Sequence, residues 1–359
     1  EFLQTIMHIT KKLIYWYSEN KRNLPWRESK SAFHIWLSEI ILQQTRIDQG
    51  LSYYNRFITE YDSIYTLASA REEQILRLWQ GLGYYSRARN LHIAARQVVN
   101  EYNGKFPKSH HELMKLKGVG DYTAAAIASM AFDEAVPAVD GNVKRVVARL
   151  FGLQEDIANL KTYRNIRKIC RDLMGDEDPG TFNQAMMEFG ALQCTPKNPN
   201  CEKCPLSQHC LAFQKNIVKE LPVKYNKQKK RNRYFNYFIF VSKPDKQTFI
   251  EQRDQKDIWQ KLFQFPMLET NKLINEGQAS QQADEWLQDA PKTLIHSSGQ
   301  FKHILSHQQI YARFFHFNLS HLPSKTPDNW KIINQKDMDN FAIPRLIEQY
   351  LEKMSPENF

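Results

Sequence analysis

Four cysteines stand within one short segment of the chain, Cys194, Cys201, Cys204 and Cys210, at the spacing C-x6-C-x2-C-x5-C. Four thiolates on one loop can close around a tetrahedral zinc ion or an iron–sulfur cluster. The spacing lacks the paired C-x2-C arrangement of zinc ribbons, but ligand chemistry alone leaves zinc and iron both open. A secreted disulfide scaffold would spread its cysteines in pairs. We therefore predict a metal centre in a reducing compartment, with Cys170 as a buried thiol.

A second motif is a glycine-containing turn, Leu116–Ala124, with the sequence LKGVGDYTA. Gly118 and Gly120 flank a small apolar residue, which lets two helices meet in a tight hairpin. The exposed backbone N–H groups at the start of the following helix can hold a phosphate. An ordinary connection between two helices would show the same glycines. Helical patterns on both sides and the Ala-rich segment after the turn favour the phosphate-binding hairpin.

Two carboxylic acids could supply acid and base chemistry. Glu39 lies in a predicted helix that is apolar almost all round, and burial raises the pKa of a carboxyl group until it can donate a proton near neutral pH. The spacing fits an exposed polar stripe of Glu39, Gln43 and Arg46 equally well. Asp140 suits the N-cap of the next helix, which includes Val143, and a carboxylate there stays ionised. Together, a protonated and an ionised carboxyl are the pair that glycosidic cleavage uses.

The segments that would carry these groups are predicted to be helical over the first two hundred residues, where apolar residues recur at helical spacing. Beyond residue 233, the patterns at 235–241 and 311–317 predict strands, and the segment from Pro344 predicts a closing helix. The sequence therefore predicts a mainly α domain over 7–214 with the cysteine loop at 194–210, a basic linker over 215–233, and an α+β domain over 234–359.

Charge is concentrated in the predicted linker. The formal net charge is +10, and residues 215–233 carry eight Lys or Arg side chains against one Glu. A basic segment beside a folded domain is compatible with a polyanionic partner. No apolar run approaches the ~18 residues of a membrane helix, and no secretory signal is recognised. Met7 fits a natural initiator, so residues 1–6 are expected to be foreign to the natural chain. We expect a protein that acts inside the cell.

In this order the motifs resemble the helix-hairpin-helix base-excision glycosylases that carry a [4Fe–4S] cluster. The cluster loop of that family has the same cysteine spacing, so the resemblance favours iron over zinc. Within the family the chain is similar to the MutY-type adenine DNA glycosylases, from about Ile9 to the C-terminus. The matching segments are Leu24–Arg27, Ser38–Thr45, Gly81–Arg87 and Asp140–Val143.

The resemblance implies an enzyme that flips adenine out of double-stranded DNA and hydrolyses its glycosidic bond where adenine is mispaired with 8-oxoguanine or guanine. Glu39 would protonate adenine at N7, and Asp140 would stabilise or capture the oxocarbenium ion. Asn142 and Tyr122 would position Asp140 and the sugar. Bifunctional relatives have a Schiff-base lysine where this chain has Tyr122, so little lyase activity is expected, although Lys144 could form an imine slowly.

The resemblance also implies which residues contact DNA. Arg27 and Gln184 would line the adenine pocket, and Gln44 and Tyr84 would fill the base stack around the opposite base. The enzyme would act as a monomer. The full set of expected contacts is Arg27, Gln43, Gln44, Thr45, Tyr84, Gly118, Gly120, Gln184, Ser306 and His307.

The second domain resembles the MutT-like, or Nudix-like, domain with which these enzymes recognise 8-oxoguanine. It lacks the Nudix hydrolase signature, so we expect recognition without nucleotide hydrolysis. The family's Phe-Ser-His loop matches Leu305, Ser306 and His307, with Leu305 in place of Phe.

Two other functions stay open at this point. One is a glycosylase or lyase of the same fold that acts on another base, against which Tyr122 and the second domain argue. The other is a non-catalytic iron–sulfur protein that binds DNA, in which Glu39 would be a surface residue and Asp140 only a helix cap.

Overall fold

The computed structural model describes residues 2–225 and 230–354. The chain divides into two compact units: the first comprises Glu1–Ser69 and Asn90–Asn226, and the second comprises Ala70–Arg89 and Lys227–Phe359. Part of the predicted linker, residues 226–229, and the end of the predicted second domain, residues 355–359, lie outside the described residues. The predicted domain boundaries at 214 and 234 stay a prediction.

The N-terminal part of the chain is helical, as predicted. Two 3-10 helices, Pro25–Arg27 and Ser207–His209, accompany the α-helices. Those helices are α1 Phe2–Asn20, α2 Ala32–Leu42, α3 Ile47–Glu60, α4 Ile64–Ser69, α5 Glu72–Trp79, α6 Ser86–Tyr102, α7 His110–Leu113, α8 Asp121–Phe132, α9 Gly141–Leu150, α10 Leu160–Met174, α11 Pro179–Leu192 and α12 Leu211–Gln214.

One apolar core of the first unit lies among α1, α9, α10 and α11. In α10 the residues Ile166, Cys170 and Leu173 recur at helical spacing, and all three are buried. They pack with Leu13 of α1 and Phe182 of α11 in the same cluster. Burying each large aliphatic side chain stabilises the fold by about 2 kcal/mol. This core holds the start of α9 and helix α11, which carry Asp140, Asn142 and Gln184.

Close packing around α8 holds α2 in place. Ala124 to Ala128 of α8 are all buried, and α8 contacts both α2 and α11. Small side chains let helices approach without steric conflict, so the apolar α2 is buried on most of its surface. The alternative of one helical stripe through Glu39, Gln43 and Arg46 is not observed. Helix α2 ends at Leu42, because Gln43 leaves helical geometry and Gln44 adopts a positive φ of 56°.

The second unit is built on a mixed eight-stranded sheet in the order β3-β2-β1-β7-β5, with β4 paired to β1, β6 to β7 and β8 to β2. Strands β1 and β7 run parallel along their full length. Its elements are β1 Arg231–Ser242, β2 Gln247–Gln252, β3 Phe263–Gln264, β4 Met267–Thr270, α13 Glu276–Trp286, β5 Lys292–Ser297, β6 Phe301–Ile304, β7 Gln308–Leu319, β8 Trp330–Asn334, a 3-10 helix Gln335–Asn340, and α14 Arg345–Leu351.

Both faces of the central strands are covered. Phe238 on one face of β1 packs against Trp286 of α13, and Phe314 of β7 stacks on Tyr350 of α14 at a ring separation of 3.7 Å. The alternation in the sequence predicted a strand but not that residues 235–242 are buried throughout. A strand that is covered on both faces has a continuous apolar run rather than an alternating one.

A helical segment from the N-terminal half also belongs to the second unit. Arg77 donates to the carbonyl of Phe341 at 3.3 Å, and the Tyr85 hydroxyl donates to the carbonyl of Ile343 at 3.5 Å. Through these contacts, residues 70–89 are attached to the segment that leads into α14. Among the described residues, no helix combines the length and the apolar composition needed to cross a membrane.

Candidate active site

A cleft of about 1320 Å³ opens in the first unit and contains half of the site residues that the sequence singled out. Both carboxylic acids line it, although they lie 101 positions apart in the chain. The predicted site residues on its wall are Arg27, Glu39, Gln43, Gln44, Thr45, Tyr122, Asp140, Asn142 and Gln184.

Glu39 projects from α2 into the wall of this cleft. The Tyr122 hydroxyl, on α8, donates a hydrogen bond to Glu39 Oε2 at 2.7 Å and also lies 3.1 Å from Met187 Sδ. The pKa of Glu39 is raised from 4.5 to about 7. Burial is the largest cause and the Asp140 carboxylate acts in the same direction, whereas the Tyr122 hydrogen bond and the Arg27 charge oppose them. Glu39 is therefore poised to hold a proton near neutral pH. It does not share a helical stripe with Gln43, because α2 has ended there.

Asp140 is the N-cap of α9, as predicted. Its Oδ1 accepts from the backbone N–H of Val143 at 2.7 Å, and its Oδ2 accepts from Asn142 Nδ2 at 2.8 Å. Burial raises the pKa of Asp140, and these donors counteract that effect by stabilising the ionised form. The cap thus holds the carboxylate in one orientation at the cleft.

Arg145 is a residue of this site that the sequence did not reveal. It is buried, and its Nη2 donates to Asn142 Oδ1 at 2.8 Å and to the carbonyl of Gly190 at 2.7 Å, while its Nε donates to the carbonyl of Cys194 at 2.8 Å. Arg145 lies off the apolar stripe of α9, so the sequence alone gives no sign that it is buried. Its role is seen only from its contacts with α11 and the cysteine loop.

Glu188 on α11 is a second such residue. Its carboxylate pairs with Arg22 at 2.7 Å and with Arg27 at 2.8 Å. One turn earlier, Gln184 Oε1 accepts from the Tyr17 hydroxyl at 2.8 Å. No motif or spacing in the sequence marks Glu188, because its partners lie 161 and 166 residues away.

The glycine turn forms the predicted hairpin between α7 and α8. Gly118 has a φ of +77°, and a Cβ at this position would lie 2.7 Å from Asn90 Cβ, so a side chain is excluded here on both counts. Gly120 is the N-cap of α8 and has open space around it. These glycines are not among the cleft-lining residues; the hairpin is a separate feature of the first unit.

The four clustered cysteines line a small apolar cavity of about 30 Å³, and none is in a disulfide. Among the described residues, no three His, Cys, Asp or Glu side chains converge on a position for a single metal ion. Thiolates spread around a cavity fit a multi-iron cluster better than one zinc ion. Arg149 donates to Cys194 Sγ at 3.5 Å and to the carbonyl of Thr195 at 2.7 Å, at the start of the loop, and its own carbonyl lies 3.4 Å from Cys210 Sγ at the end of the loop.

The remaining predicted residues lie in the second unit. The Tyr84 hydroxyl and the Ser306 Oγ form a hydrogen bond, and Tyr84 has a positive φ of 48°. Ser306 and His307 are exposed in the turn that joins β6 to β7. In that turn the backbone N–H of Leu305 donates to the carbonyl of Gln308 at 2.9 Å.

Three family models match the chain. Residues 37–173 match the HhH-GPD superfamily base excision DNA repair protein, residues 194–210 match the iron-sulfur binding domain of endonuclease III, and residues 237–353 match the NUDIX domain. The fold, the site and the three family models together define the class of this protein. It is a base-excision DNA glycosylase with an iron–sulfur loop and a Nudix-like domain.

The relatives narrow this class. The adenine DNA glycosylase of Buchnera aphidicola subsp. Schizaphis graminum is 34% identical over 97% of this chain and 99% of its own length. That of Arabidopsis thaliana is 42% identical over 61% of this chain and 40% of its own length. The structure of a thermostable thymine-DNA glycosylase matches 59% of this chain and 98% of its own, with 28% identity and a TM-score of 0.55. The chain belongs to the MutY-type adenine DNA glycosylases.

Several predictions from the sequence are thereby confirmed. The protein is a DNA glycosylase that excises adenine in base-excision repair. Its cofactor is a [4Fe–4S] cluster held by Cys194, Cys201, Cys204 and Cys210, which settles the choice between iron and zinc. The hypothesis of a non-catalytic iron–sulfur protein is wrong.

Proposed function

We propose that the chain, acting as a monomer, hydrolyses the glycosidic bond of adenine opposite 8-oxoguanine or guanine, with Glu39 as the acid and Asp140 as the group that receives the sugar. One observation carries this proposal. Glu39, with its pKa raised to about 7, and Asp140, held by a helix cap, line the same cleft. Their unlike environments match the two roles that glycosidic cleavage requires.

In the first step, adenine must leave the base stack, at a cost of a few kcal/mol, and enter the cleft. Glu39 then gives its proton to N7 of the base. As the bond between C1′ and N9 breaks, its electron pair goes to N9, and the base leaves as neutral adenine. The Tyr122 hydroxyl, which already donates a hydrogen bond to Glu39, stabilises the negative charge that forms on this carboxylate.

The sugar is left as an oxocarbenium ion. Asp140 either stabilises this cation or forms a bond from one carboxylate oxygen to C1′. Water then attacks C1′ and gives its proton to Glu39, which restores the acid for the next cycle. Where Asp140 has bonded to C1′, that bond breaks as water attacks, and its electron pair returns to the carboxylate. Asn142 and the backbone N–H of Val143 hold Asp140 in place during both steps.

The side chain at position 122 supports hydrolysis without strand cleavage. Tyr122 occupies the position where a lyase needs a lysine, and a phenol cannot form an imine. Lys144 lines the cleft, but its ammonium donates to the carbonyl of Ile157 at 3.4 Å and lies 4.9 Å from the centre of the Tyr163 ring. Burial lowers the pKa of this amine, so we expect slow imine formation at Lys144 beside the main hydrolytic reaction.

The other site residues are proposed to bind DNA. Arg27 and Gln184 would contact adenine, and Gln44 would fill the base stack. Gln43, whose amide donates to Thr123 Oγ1 at 3.2 Å, and Thr45 would also contact DNA. The backbone N–H groups after Gly118 and Gly120 would bind a phosphate. In the second unit, Tyr84, Ser306 and His307 would contact 8-oxoguanine.

The iron–sulfur cluster supplies a covalent cross-link for residues 194–210. Bound thiolates hold a loop that has little regular structure of its own, and Arg149 adds further hydrogen bonds across the loop. We propose that this loop presents the exposed Lys197 and Lys203 to the DNA backbone.

A glycosylase assay tests the proposal. A labelled duplex with adenine opposite 8-oxoguanine, beside adenine–thymine and guanine–thymine duplexes, is incubated with the protein and analysed with and without alkali. Alkali-dependent cleavage at adenine that is lost in Glu39→Gln is the expected result. Glu28→Gln, the same change at an exposed residue of the same cleft, serves as the control. Cleavage without alkali, or an active Glu39→Gln variant, would contradict the mechanism.

A further inference from the structure

Glu188 lies between two arginines of the cleft wall. Its side chain is only 1% exposed. Arg22 donates its backbone N–H and its Nε to Glu188 Oε1, at 2.8 and 2.9 Å, and its Nη2 to Oε2 at 2.7 Å. Arg27 donates its Nη1 to Oε1 at 3.2 Å and its Nη2 to Oε2 at 2.8 Å. One carboxylate therefore orients two guanidinium groups.

These three residues form a partly buried charged cluster with one negative and two positive charges. Hydrogen bonds from both arginines lower the pKa of Glu188 to about 2, so its carboxylate is ionised at neutral pH. Arg27 also donates Nη1 to the carbonyl of Arg22 at 3.0 Å, which locks the arginines to each other. Without Glu188, two guanidinium charges would face the cleft uncompensated.

Glu39 responds to this charge, because Arg27 is one of the groups that act on it. The others are Tyr122 from α8 and Asp140 at the start of α9. Further charged side chains line the cleft outside the cluster and are untouched by a change at Glu188: Glu28, Lys30, Arg46, Asp48, Lys144, Asp178 and Lys224.

We propose that Glu188 is a positioning residue that fixes Arg22 and Arg27 on the wall of the adenine pocket and offsets their charge, so that the cleft holds Glu39 in its protonated form. This inference rests on the proposed function, in which Glu39 is the acid. Glu188 makes no contact with the reacting atoms. It acts through the arginines, first by fixing where their N–H groups point and second by reducing the positive potential at Glu39.

The substitution Glu188→Gln separates these effects from simple loss of packing. Glutamine keeps the size and one acceptor oxygen but removes the charge. A cation beside a carboxyl group lowers its pKa by about one unit or more. We therefore expect the alkaline limb of the pH–rate profile to move to lower pH. Glu188→Asp, which keeps the charge, should leave the limb at its wild-type pH.

The experiment measures single-turnover excision of adenine opposite 8-oxoguanine between pH 5 and 9, using about ten pH values, with the full chain carrying its cluster. Glu28→Gln is the matched control, since it removes a carboxylate that is exposed on the same cleft but outside the cluster. A shifted limb in Glu188→Gln alone supports the proposal. An equal loss of rate at every pH, with the limb unmoved, would overturn it and leave Glu188 a purely structural residue.

Arg27→Met provides a second test if Glu188→Gln does not fold. The pair between Arg22 and Glu188 remains in that variant, and the loss of one cation should move the limb to higher pH. An unmoved limb would again overturn the inference. Glu39→Gln distinguishes a failure of the proposed function from a failure of this inference. If Glu39→Gln stays active, the proposed acid is wrong. If Glu39→Gln is inactive while Glu188→Gln shows no shift, only the role of Glu188 fails.

Discussion

Arg145 joins the side chain of Asn142 to the backbone of the iron–sulfur loop. Its Nη2 donates to Asn142 Oδ1, and its Nε donates to the carbonyl of Cys194, both at 2.8 Å. Asn142 donates in turn to Asp140 Oδ2 at 2.8 Å. The loop that binds the cluster and the carboxylate proposed to receive the sugar are therefore linked by a continuous series of hydrogen bonds.

Arg145→Met should break this series and lower the rate of adenine excision. Because the change leaves buried acceptors without a charged donor, we expect the free energy of unfolding to fall by about 2–3 kcal/mol and the single-turnover rate to fall about tenfold or more. Thermal unfolding and single-turnover assays measure the two effects. Arg164→Met, at an exposed position of α10, is the control. A wild-type rate in Arg145→Met would show that Asp140 does not depend on the loop.

The pKa of Glu39 sets the pH dependence of the chemical step. Its pKa is raised from 4.5 to about 7, and the acid works only when it is protonated. The single-turnover rate should therefore fall tenfold for each pH unit above about 7. It should also fall in acid as the Asp140 carboxylate, whose pKa is raised by burial, takes up a proton. Tyr122→Phe removes a hydrogen bond that favours the ionised form, so the limb should move to higher pH while the plateau falls. A limb that moves to lower pH, or a rate that rises above pH 7, would argue against Glu39 as the acid.

The chemistry of the site could be predicted from the sequence wherever it depended on local pattern. The cysteine spacing, the glycine turn and the N-cap at Asp140 all rest on residues that are close together in the chain. The helical pattern also identified the apolar surroundings of Glu39. What it could not show was whether Glu39 meets Asp140, because that depends on how α2 packs against α8 and on the start of α9.

The parts that the sequence did not reveal are charged residues with distant partners. Amphipathic patterns assign a charged side chain to the solvent, which misplaces Arg145 and says nothing about Glu188. Both are buried because their partners come from another helix or from the cysteine loop. The membership of residues 70–89 in the second unit was missed for the same reason, since their contacts with Phe341 and Ile343 cross more than 250 residues.

Gly190 allows α11 to approach the start of α9. A Cβ at this position would lie 2.6 Å from Asn142 Cβ and 2.9 Å from the Asn142 backbone oxygen, so Gly190→Ala must push Asn142 away from Asp140. We expect a lower melting temperature and a rate loss of about tenfold or more, because catalytic geometry tolerates little displacement. Gly299→Ala, where a Cβ meets nothing within 4 Å, is the control. An unchanged rate in Gly190→Ala would mean that Asn142 does not position Asp140.

Recognition of the opposite base is better tested by point substitutions than by deleting residues 234–359. Tyr85 and Arg77 contact residues 341–343, so a truncated chain would lose these partners. Leu305, Ser306 and His307 lie at the turn between β6 and β7. They can be changed without removing that support.

Leu305→Phe should increase the preference for adenine opposite 8-oxoguanine over adenine opposite guanine. A flat aromatic ring can stack on a base, which is worth about 1–3 kcal/mol per base, and a branched aliphatic side chain cannot. Ser306, the neighbour of Leu305 in the turn, is already exposed. Ser306→Ala should act in the opposite direction by removing a hydrogen-bonding group and the contact with Tyr84. The measurement is the ratio of single-turnover rates and of dissociation constants on the two duplexes. If both substitutions change the two duplexes equally, this turn contributes to binding DNA but does not distinguish 8-oxoguanine from guanine.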